Sequence, residues 1–330
     1  VLSVNHDFWG TWITYIGYFL LYAGLMGIMF FGKTRFKSLG ASLEKLKNKR
    51  SKLVVLFILG SSLNMLAQEN VEGDGHAHNN MPTPQQIDSL LHVITPSKEH
   101  AAKFSELVVQ DAGGRMKPIN TFSSELLRKL SLKDKYTDFN SDQVFLSMML
   151  NPAAWYNAEF IALDKKGDND SIRKILGVEH GRKYIKATDF FNEKGEYKLT
   201  PYLQEAYATN TPNQFQKDFK ALDERLVLLD QALGGKIVKI FPLLNDENNK
   251  WISAVEYRAG QFQVSDSLYA NFIKNAVPFY LMSLEKAVRN GDYSEADKLL
   301  AAFKKNQENH GSEVLPSENK IKAEIFYNKA

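Results

Sequence analysis

The chain has 330 residues, a hydrophobic fraction of 44%, a charged fraction of 24% and a formal net charge of +3. This apolar content is sufficient for a sizeable core, and the length allows one or two domains. The chain has no cysteine, which excludes disulfides, thiolate metal sites and cysteine nucleophiles. The weak net charge gives no indication of nucleic-acid binding.

The first apolar segment, residues 8–31, contains no charged residue. A helix needs roughly 20 such residues to cross a bilayer core. Phe8, Trp9 and Trp12 cluster at one end, which is typical of an interfacial aromatic belt. We therefore predict a transmembrane helix within residues 1–32.

A second uncharged segment, Leu53–Ala67, is shorter. It predicts a second, signal-like transmembrane helix at residues 53–68. The alternative is a cleaved signal sequence, since basic residues precede the segment. Cleavage after Ala67 would place Met65 where a small residue is required, so we favour an uncleaved span.

The loop between the two segments, residues 33–52, contains eight Lys and Arg residues against Glu44 alone. Positively charged loops stay in the cytoplasm. The remainder of the chain is then predicted to lie outside, with a flexible tether at 69–84 followed by an extracytoplasmic domain at 85–330. Gly, Pro, Asn and acidic residues dominate the tether and indicate little structure.

The extracytoplasmic part is predicted to be a predominantly α (α+β) domain with a few short strands. Helical spacing of apolar residues resumes near Gln85. Further helices are predicted at 120–130 (capped by Asn120 or Thr121), 143–150, 171–176, 213–233, 268–290 and 294–309. Strands are predicted at 106–109, 159–163, 236–244 and 250–257, together with a hairpin at 190–199.

The last two of these helices flank Gly291-Asp292-Tyr293 and resemble one tetratricopeptide-type hairpin. A single hairpin does not make a solenoid, because such stacks need about three repeats. The end of the chain, residues 315–327, is interpreted as a polar run that finishes in an aromatic pair.

The sequence offers few candidate metal-binding or catalytic residues. His76 and His78 lie on the tether near Glu69, Glu72 and Asp74, but a floppy tether lacks the ligand geometry of a metal site, and we predict none. No nucleophile elbow or H-E-x-x-H motif is present. The acidic pairs Asp223-Glu224 and Glu193/Glu196 are interpreted as solvated faces, so we assign no catalytic residue.

Several segments resemble a known family. Residues 2–18 resemble the last membrane span of ResB-like proteins, which belong to the System II (Ccs-type) cytochrome c biogenesis machinery. The other matching segments resemble the long ResB–ResC (CcsB–CcsA) fusions of Bacteroidetes-type bacteria. They are Val109-Gln110-Asp111, Gly114-Arg115, Lys117-Pro118, Thr121, Asp142-Gln143, Asn151-Pro152, Trp155, Leu315-Pro316-Ser317 and Glu324-Ile325-Phe326-Tyr327-Asn328-Lys329.

The resemblance implies a part of a haem-delivering cytochrome c haem lyase in the bacterial inner membrane, with its large domain facing the periplasm. The implied partners are the lipid bilayer, apocytochrome c and a ResC-like half of the same chain, and not nucleic acid. Haem belongs to the full-length protein, whose catalytic haem-handling half is expected beyond this segment. The implied role of the segment is membrane anchor and periplasmic scaffold.

Three residues could contact haem on their own chemistry, although the resemblance carries a haem role onto none of them. Arg115 and Lys117 stand beside Gly113-Gly114 and could bind an anion such as a haem propionate, although the glycine pair is better explained as a tight turn. His6, at the mouth of the first apolar segment, could ligate haem or be an ordinary interfacial histidine. We assign no cofactor-binding residue. The alternative function is a membrane-tethered protein-interaction scaffold without a haem role.

Overall fold

The computed structural model describes residues 82–163 and 170–329. These residues form twelve α-helices and four two-stranded antiparallel β-ribbons. The helices are α1 (Pro84–Ile94), α2 (Lys98–Ser105), α3 (Ile119–Ser131), α4 (Ser141–Leu150), α5 (Pro152–Asn157), α6 (Asp170–Leu176), α7 (Thr200–Ala208), α8 (Gln214–Leu233), α9 (Ala254–Arg258), α10 (Ser267–Asn290), α11 (Ser294–Gly311) and α12 (Glu318–Lys329).

The β-ribbons are short, and each pairs two strands that are near in sequence. The pairs are β1 (Val108–Gln110) with β2 (Met116–Pro118), β3 (Lys135–Tyr136) with β4 (Phe139–Asn140), β5 (Ile161–Ala162) with β6 (Tyr184–Ile185), and β7 (Phe241–Pro242) with β8 (Trp251–Ile252). A 3-10 turn spans Ala187–Phe190. No ribbon offers a wide sheet face, so helix packing builds the core.

Local sequence fixes several helix starts through capping boxes. In each, the N-cap side chain accepts a hydrogen bond from the backbone N–H of the residue three positions later. The side chain of that later residue accepts the backbone N–H of the N-cap residue. The four pairs are Thr83 with Gln86, Asn140 with Gln143, Asn213 with Gln216, and Ser253 with Glu256. At the other end of α10, Gly291 has a φ of 78° and terminates the helix in the left-handed conformation.

One contiguous apolar core runs from α1 to α11. The helix pairs α3–α4, α2–α4 and α10–α11 make the most extensive contacts. Trp155, Phe104, Phe219 and Tyr280 are among its fully buried side chains. A smaller apolar cluster joins Ile321 of α12 to β1 and β8.

The predicted fold class requires a correction. Among residues 82–163 and 170–329, no helix is both long and apolar enough to cross a bilayer. The longest described helices are amphipathic: α10, for example, carries Lys274, Glu285, Lys286 and Arg289. The two predicted transmembrane helices, at 1–32 and 53–68, lie outside the described residues. The described residues form a helix-dominated domain with four β-ribbons, and the prediction of two transmembrane helices is not supported by this structure.

The helix predictions near 85, 143–150, 171–176, 213–233, 268–290 and 294–309 are confirmed within a few residues. The hairpin at 190–199 is confirmed by a bridge between Phe191 and Tyr197.

Two local predictions are wrong in detail. Of the strands predicted at 236–244 and 250–257, only two residues each are paired, and Ala254 begins a helix because Ser253 caps it. The helix predicted to be capped by Asn120 or Thr121 starts at Ile119 without a side-chain cap. The polar run at the end of the chain, for which no secondary structure was predicted, contains the helix α12.

Candidate functional site

The β1–β2 hairpin surrounds a buried lysine. The carboxylate of Asp111 accepts the backbone N–H groups of Gly113, at 2.9 Å, and Arg115, at 3.0 Å, and Gly114 completes the turn with a φ of 86°. Lys117 leaves the hairpin on its buried side and is 4% exposed. Its Nζ lies 2.8 Å from Asp111 and 2.9 Å from Glu125 of α3.

The two carboxylates control the protonation of this lysine. Burial alone would lower the pKa of Lys117, but the hydrogen-bonded ion pairs with Asp111 and Glu125 outweigh it and raise that pKa. The same pairing lowers the pKa of Asp111 against the opposing effect of burial. Lys117 and Asp111 are therefore charged at neutral pH, and the contacts of Lys117 join the hairpin to α3.

The anion site considered at Arg115 and Lys117 is not formed, because both side chains pair with carboxylates. Arg115 Nη2 lies 2.9 Å from Glu324 Oε1 of α12, and Lys117 is shared between two carboxylates. Both cations are thus engaged with carboxylates of the same chain. Neither is directed into an open anion-binding site.

A second buried polar group lies where α3 meets α4. Asp142 is 2% exposed, and its carboxylate accepts hydrogen bonds from Asn120 Nδ2, at 2.8 Å, and Ser123 Oγ, at 2.7 Å. A buried carboxylate needs such partners, because an unpaired one costs several kcal/mol. Asp142 lies in the first turn of α4, where the local sequence places it. Packing of α3 against α4 brings Asn120 and Ser123 within hydrogen-bond distance of it.

The C-terminal helix joins this group. Asn328 Nδ2 lies 2.9 Å from Asn120 Oδ1 and 3.3 Å from Asn120 O, and Arg128 Nη2 donates to Asn328 Oδ1 at 3.1 Å. Together with the Arg115–Glu324 pair, these bonds hold the middle and the C-terminal end of α12. The set connecting hairpin, α3, α4 and α12 is called the polar joint below; its members are Asp111, Arg115, Lys117, Asn120, Ser123, Glu125, Arg128, Asp142, Glu324 and Asn328.

Many positions quoted for the family resemblance lie in or beside the polar joint. Asp111, Arg115, Lys117, Asp142, Glu324 and Asn328 are members. Gln143, next to Asp142, donates to the carbonyl of Pro96 at 3.1 Å, and Trp155 donates to Ser147 Oγ at 3.0 Å. The joint connects these elements through ion pairs at Arg115 and Lys117 and through hydrogen bonds to the carboxylate of Asp142 and the amides of Asn120 and Asn328.

A separate buried cluster centres on His100, which sequence reasoning missed. The imidazole is 2% exposed; Nδ1 lies 2.9 Å from Asp297 Oδ1, Nε2 lies 3.0 Å from the hydroxyl of Tyr280, and the ring stacks on Tyr293. Burial lowers the pKa of His100, although Asp297 acts in the opposite direction. Its partners lie 197 and 180 residues away in sequence, so no local spacing could reveal them.

The other histidines in the described residues do not converge. His92 bonds to the carbonyl of Asp88, His180 pairs with Asp170 at 2.8 Å, and the His310 ring packs on Tyr269. No group of three or more metal-binding side chains forms within the described ranges 82–163 and 170–329. His6, His76 and His78 lie outside those ranges.

One acidic prediction is wrong and the others are confirmed. Asp223 was expected on a solvated face, but it is 6% exposed and accepts the hydroxyls of Tyr197, at 2.7 Å, and Tyr207, at 3.1 Å. Glu224, Glu193 and Glu196 are exposed as predicted. The spacing of apolar residues in α8 does not show whether an aspartate on that helix is solvated or is hydrogen-bonded to tyrosine hydroxyls from elsewhere in the chain.

No family model matches the chain. A search of curated proteins finds similarity to Protein NrfI of Wolinella succinogenes, with 28% identity over 332 residues. The aligned region covers the whole of this chain and 34% of the length of that relative. This similarity supports the relation to cytochrome c biogenesis that the sequence motifs indicate. The chain therefore corresponds to about a third of its curated relative.

Proposed function

We propose that this chain is part of a cytochrome c maturation machinery and that its described residues act as a rigid scaffold within it. The observation that carries the proposal is the 28% identity along the entire chain, whose family-like motifs meet in the polar joint. The machinery delivers haem and attaches it to apocytochrome c. We place the scaffold on the periplasmic side of the bacterial inner membrane, beside a ResC-like part of the same protein.

The described residues that could most readily take haem do not fit that role. Both ring nitrogens of His100 are engaged by Asp297 and Tyr280, so the side chain has no free axial ligand atom. Arg115 and Lys117 are paired with carboxylates, so neither is available to a propionate. We therefore assign no step in haem handling to these side chains.

The scaffold role follows from what the polar joint does mechanically. It fixes α12, the last described helix, to the hairpin and to α3 at two separate points, Glu324 and Asn328. The buried groups Lys117 and Asp142 favour one arrangement of the hairpin, α3 and α4, because any shift would leave a charge without its partner. The exposed Arg115–Glu324 pair and the amide of Asn328 attach α12 to that arrangement. A segment that follows α12 would thereby be held in a set direction relative to the helical core.

A maturation assay with a matched pair of variants tests this proposal in the full-length protein. Asn328→Ala removes the contacts to Asn120 and Arg128, whereas Asn319→Ala changes an exposed position on the same helix. Covalent haem in the c-type cytochrome, measured by haem staining, should fall for Asn328→Ala and stay at the wild-type level for Asn319→Ala. Hydrogen exchange of residues 318–329 should confirm that α12 is released.

Normal maturation despite a released α12 would rule out the scaffold role. Absence of copurified haem from the intact full-length protein would instead remove the connection to haem. The two readouts separate failure of the mechanism from failure of the family assignment.

The second candidate is a protein-interaction scaffold with no haem role. The helical hairpin α10–α11 favours it, because α10 leaves Leu268, Phe279 and Met282 exposed at 82%, 57% and 58%. Phe279 and Met282 lie one turn apart on the same helix face, and contiguous exposed apolar side chains of this kind mark contact surfaces. Copurified haem in the full-length protein would decide against this candidate.

A further inference from the structure

A cleft of about 260 Å³ opens where four separate parts of the chain converge. Its walls are the start of α1, the end of α3 with the β3–β4 ribbon, the residues before β5, and β6. Phe160, which is 1% exposed, and Tyr136 give it an aromatic side. Tyr136 and Phe160 also pack against the buried Trp155, so this wall is anchored in the core.

The cleft lining carries two carboxylates and two lysines. Glu159 pairs with Arg182, and Asp88 accepts the uncharged hydroxyl of Tyr136 at 2.6 Å. The two lysines of the lining, Lys133 and Lys135, have no ion pair within the described residues. Lys133 instead places its ammonium 4.5 Å from the ring centre of Tyr184. Asp134, between these lysines, pairs with Arg128 at 2.7 Å.

Backbone strain is concentrated at the same place. Among the described residues, four that are not glycine have positive φ, and two of these are asparagines, which tolerate it. The other two are Leu132, with a φ of 58°, and Thr137, with a φ of 49°. They bracket the segment that carries both lysines and Tyr136. Such strain costs on the order of 1–3 kcal/mol at each residue and is found preferentially at ligand-binding sites.

We propose that this cleft binds a small organic carboxylate with an aromatic or aliphatic body. The carboxylate pairs with Lys133 and Lys135, and the apolar body lies against the rings of Tyr136, Phe160 and Tyr184. The cleft places an aromatic wall beside two lysines, and small-molecule sites likewise combine apolar walls with a few polar groups. The proposal is independent of the role in cytochrome c maturation.

Calorimetric titration of the full chain tests the proposal. The probes are phenylacetate and hexanoate, each compared with its uncharged amide. We expect saturable binding of at least one carboxylate, and binding of its amide at least about tenfold weaker, because the two ion pairs are lost.

The matched variants are the double substitutions Lys133→Ala/Lys135→Ala and, as control, Lys274→Ala/Lys305→Ala at two exposed lysines elsewhere. The first should weaken carboxylate binding by about tenfold or more at unchanged circular dichroism, and the second should leave it unchanged. Tyr184→Leu should weaken phenylacetate binding with both lysines present. Lack of saturable binding of both carboxylates, or equal binding by the lysine double variant and the wild type, would overturn the proposal.

Discussion

At the scale of single residues, Gly311, the buried last residue of α11, has almost no space for a side chain. A Cβ at this position would lie 2.5 Å from Cζ2 of Trp251 and 3.0 Å from Cγ of Pro242. Trp251 is 1% exposed and is held between β1 and α12, so it has little room to retreat. The glycine is therefore required by close approach and not by backbone conformation.

Gly311→Ala should lower the free energy of unfolding by about 1–3 kcal/mol, the usual cost of overpacking a core. Urea unfolding monitored by circular dichroism measures it. Asn309→Ala, an exposed position on the same helix turn, is the control and should change stability by less than about 0.5 kcal/mol. Equal stability of the Gly311 variant and the wild type would mean that Trp251 can move after all.

His100 makes stability depend on pH. Its folded-state pKa is lowered by burial, whereas the unfolded chain titrates near 6.5. The unfolded state thus binds more protons between the two values, and stability rises with pH through this window. The contribution is complete above about pH 6.5 and declines as the pH falls below it.

The expected result is a lower free energy of unfolding at pH 5.5 than at pH 7.5, with a smaller difference in His100→Gln. Urea titrations at both pH values measure it. His180→Gln is the control, since the side chain of His180 is 85% exposed. If His100→Gln retained the wild-type pH dependence, another group would be responsible.

At the scale of elements, side-chain amides complete the hydrogen bonding of strands that are too short to form a sheet. Gln307 of α11 is 2% exposed; its Oε1 accepts the N–H of Val108 at 3.1 Å, and its Nε2 donates to Val108 O at 2.7 Å and Ile240 O at 3.2 Å. Gln110 similarly accepts the N–H of Trp251 at 2.7 Å. The amides replace a neighbouring strand.

Replacing Gln307 by Leu should therefore lower the free energy of unfolding by roughly 2–4 kcal/mol, because buried backbone groups of Val108 and Ile240 lose their partners. Hydrogen exchange at the amide of Val108 should accelerate with it. Asn306→Ala, the preceding residue on α11, is the matched control. A small effect at Gln307 would indicate that water replaces the amide.

The elements also show where sequence periodicity is reliable. The helices α8, α10 and α11 have long apolar repeats and clear end signals, and their bounds were predicted closely. In contrast, α12 buries Ile321 alone, so its sequence carries almost no amphipathic signal. Its contacts with Arg115 and Asn120, which are distant in sequence, place it against the rest of the domain.

At the scale of the whole molecule, buried cations tie distant segments together. Arg225 of α8 is 8% exposed; Nε donates to Lys129 O at 3.1 Å and Nη1 donates to Ala162 O at 2.7 Å. It therefore joins α8 to the end of α3 and to β5. One carbonyl lies in the last turn of α3 and the other in the short strand β5, where fewer backbone N–H groups are available as hydrogen-bond donors.

Arg225→Met should lower the free energy of unfolding by about 3 kcal/mol, since charged hydrogen bonds to buried carbonyls are lost. Exchange should accelerate at the end of α3 and in β5 together, which a purely local effect would not produce. Glu224→Ala, the exposed neighbour on α8, serves as control. Acceleration confined to α8 would contradict the connecting role.

The sequence by itself determined the helical character of the domain, the long helices, the turns at Gly114 and Gly291 and the relation to cytochrome c biogenesis. These depend on residues within a few positions of one another, or on motifs of short span. Only the tertiary structure decided that Asp223 is buried and that Arg115 and Lys117 are neutralised. It also decided which residues surround His100, because Asp297 lies 197 positions away and only packing brings the two together.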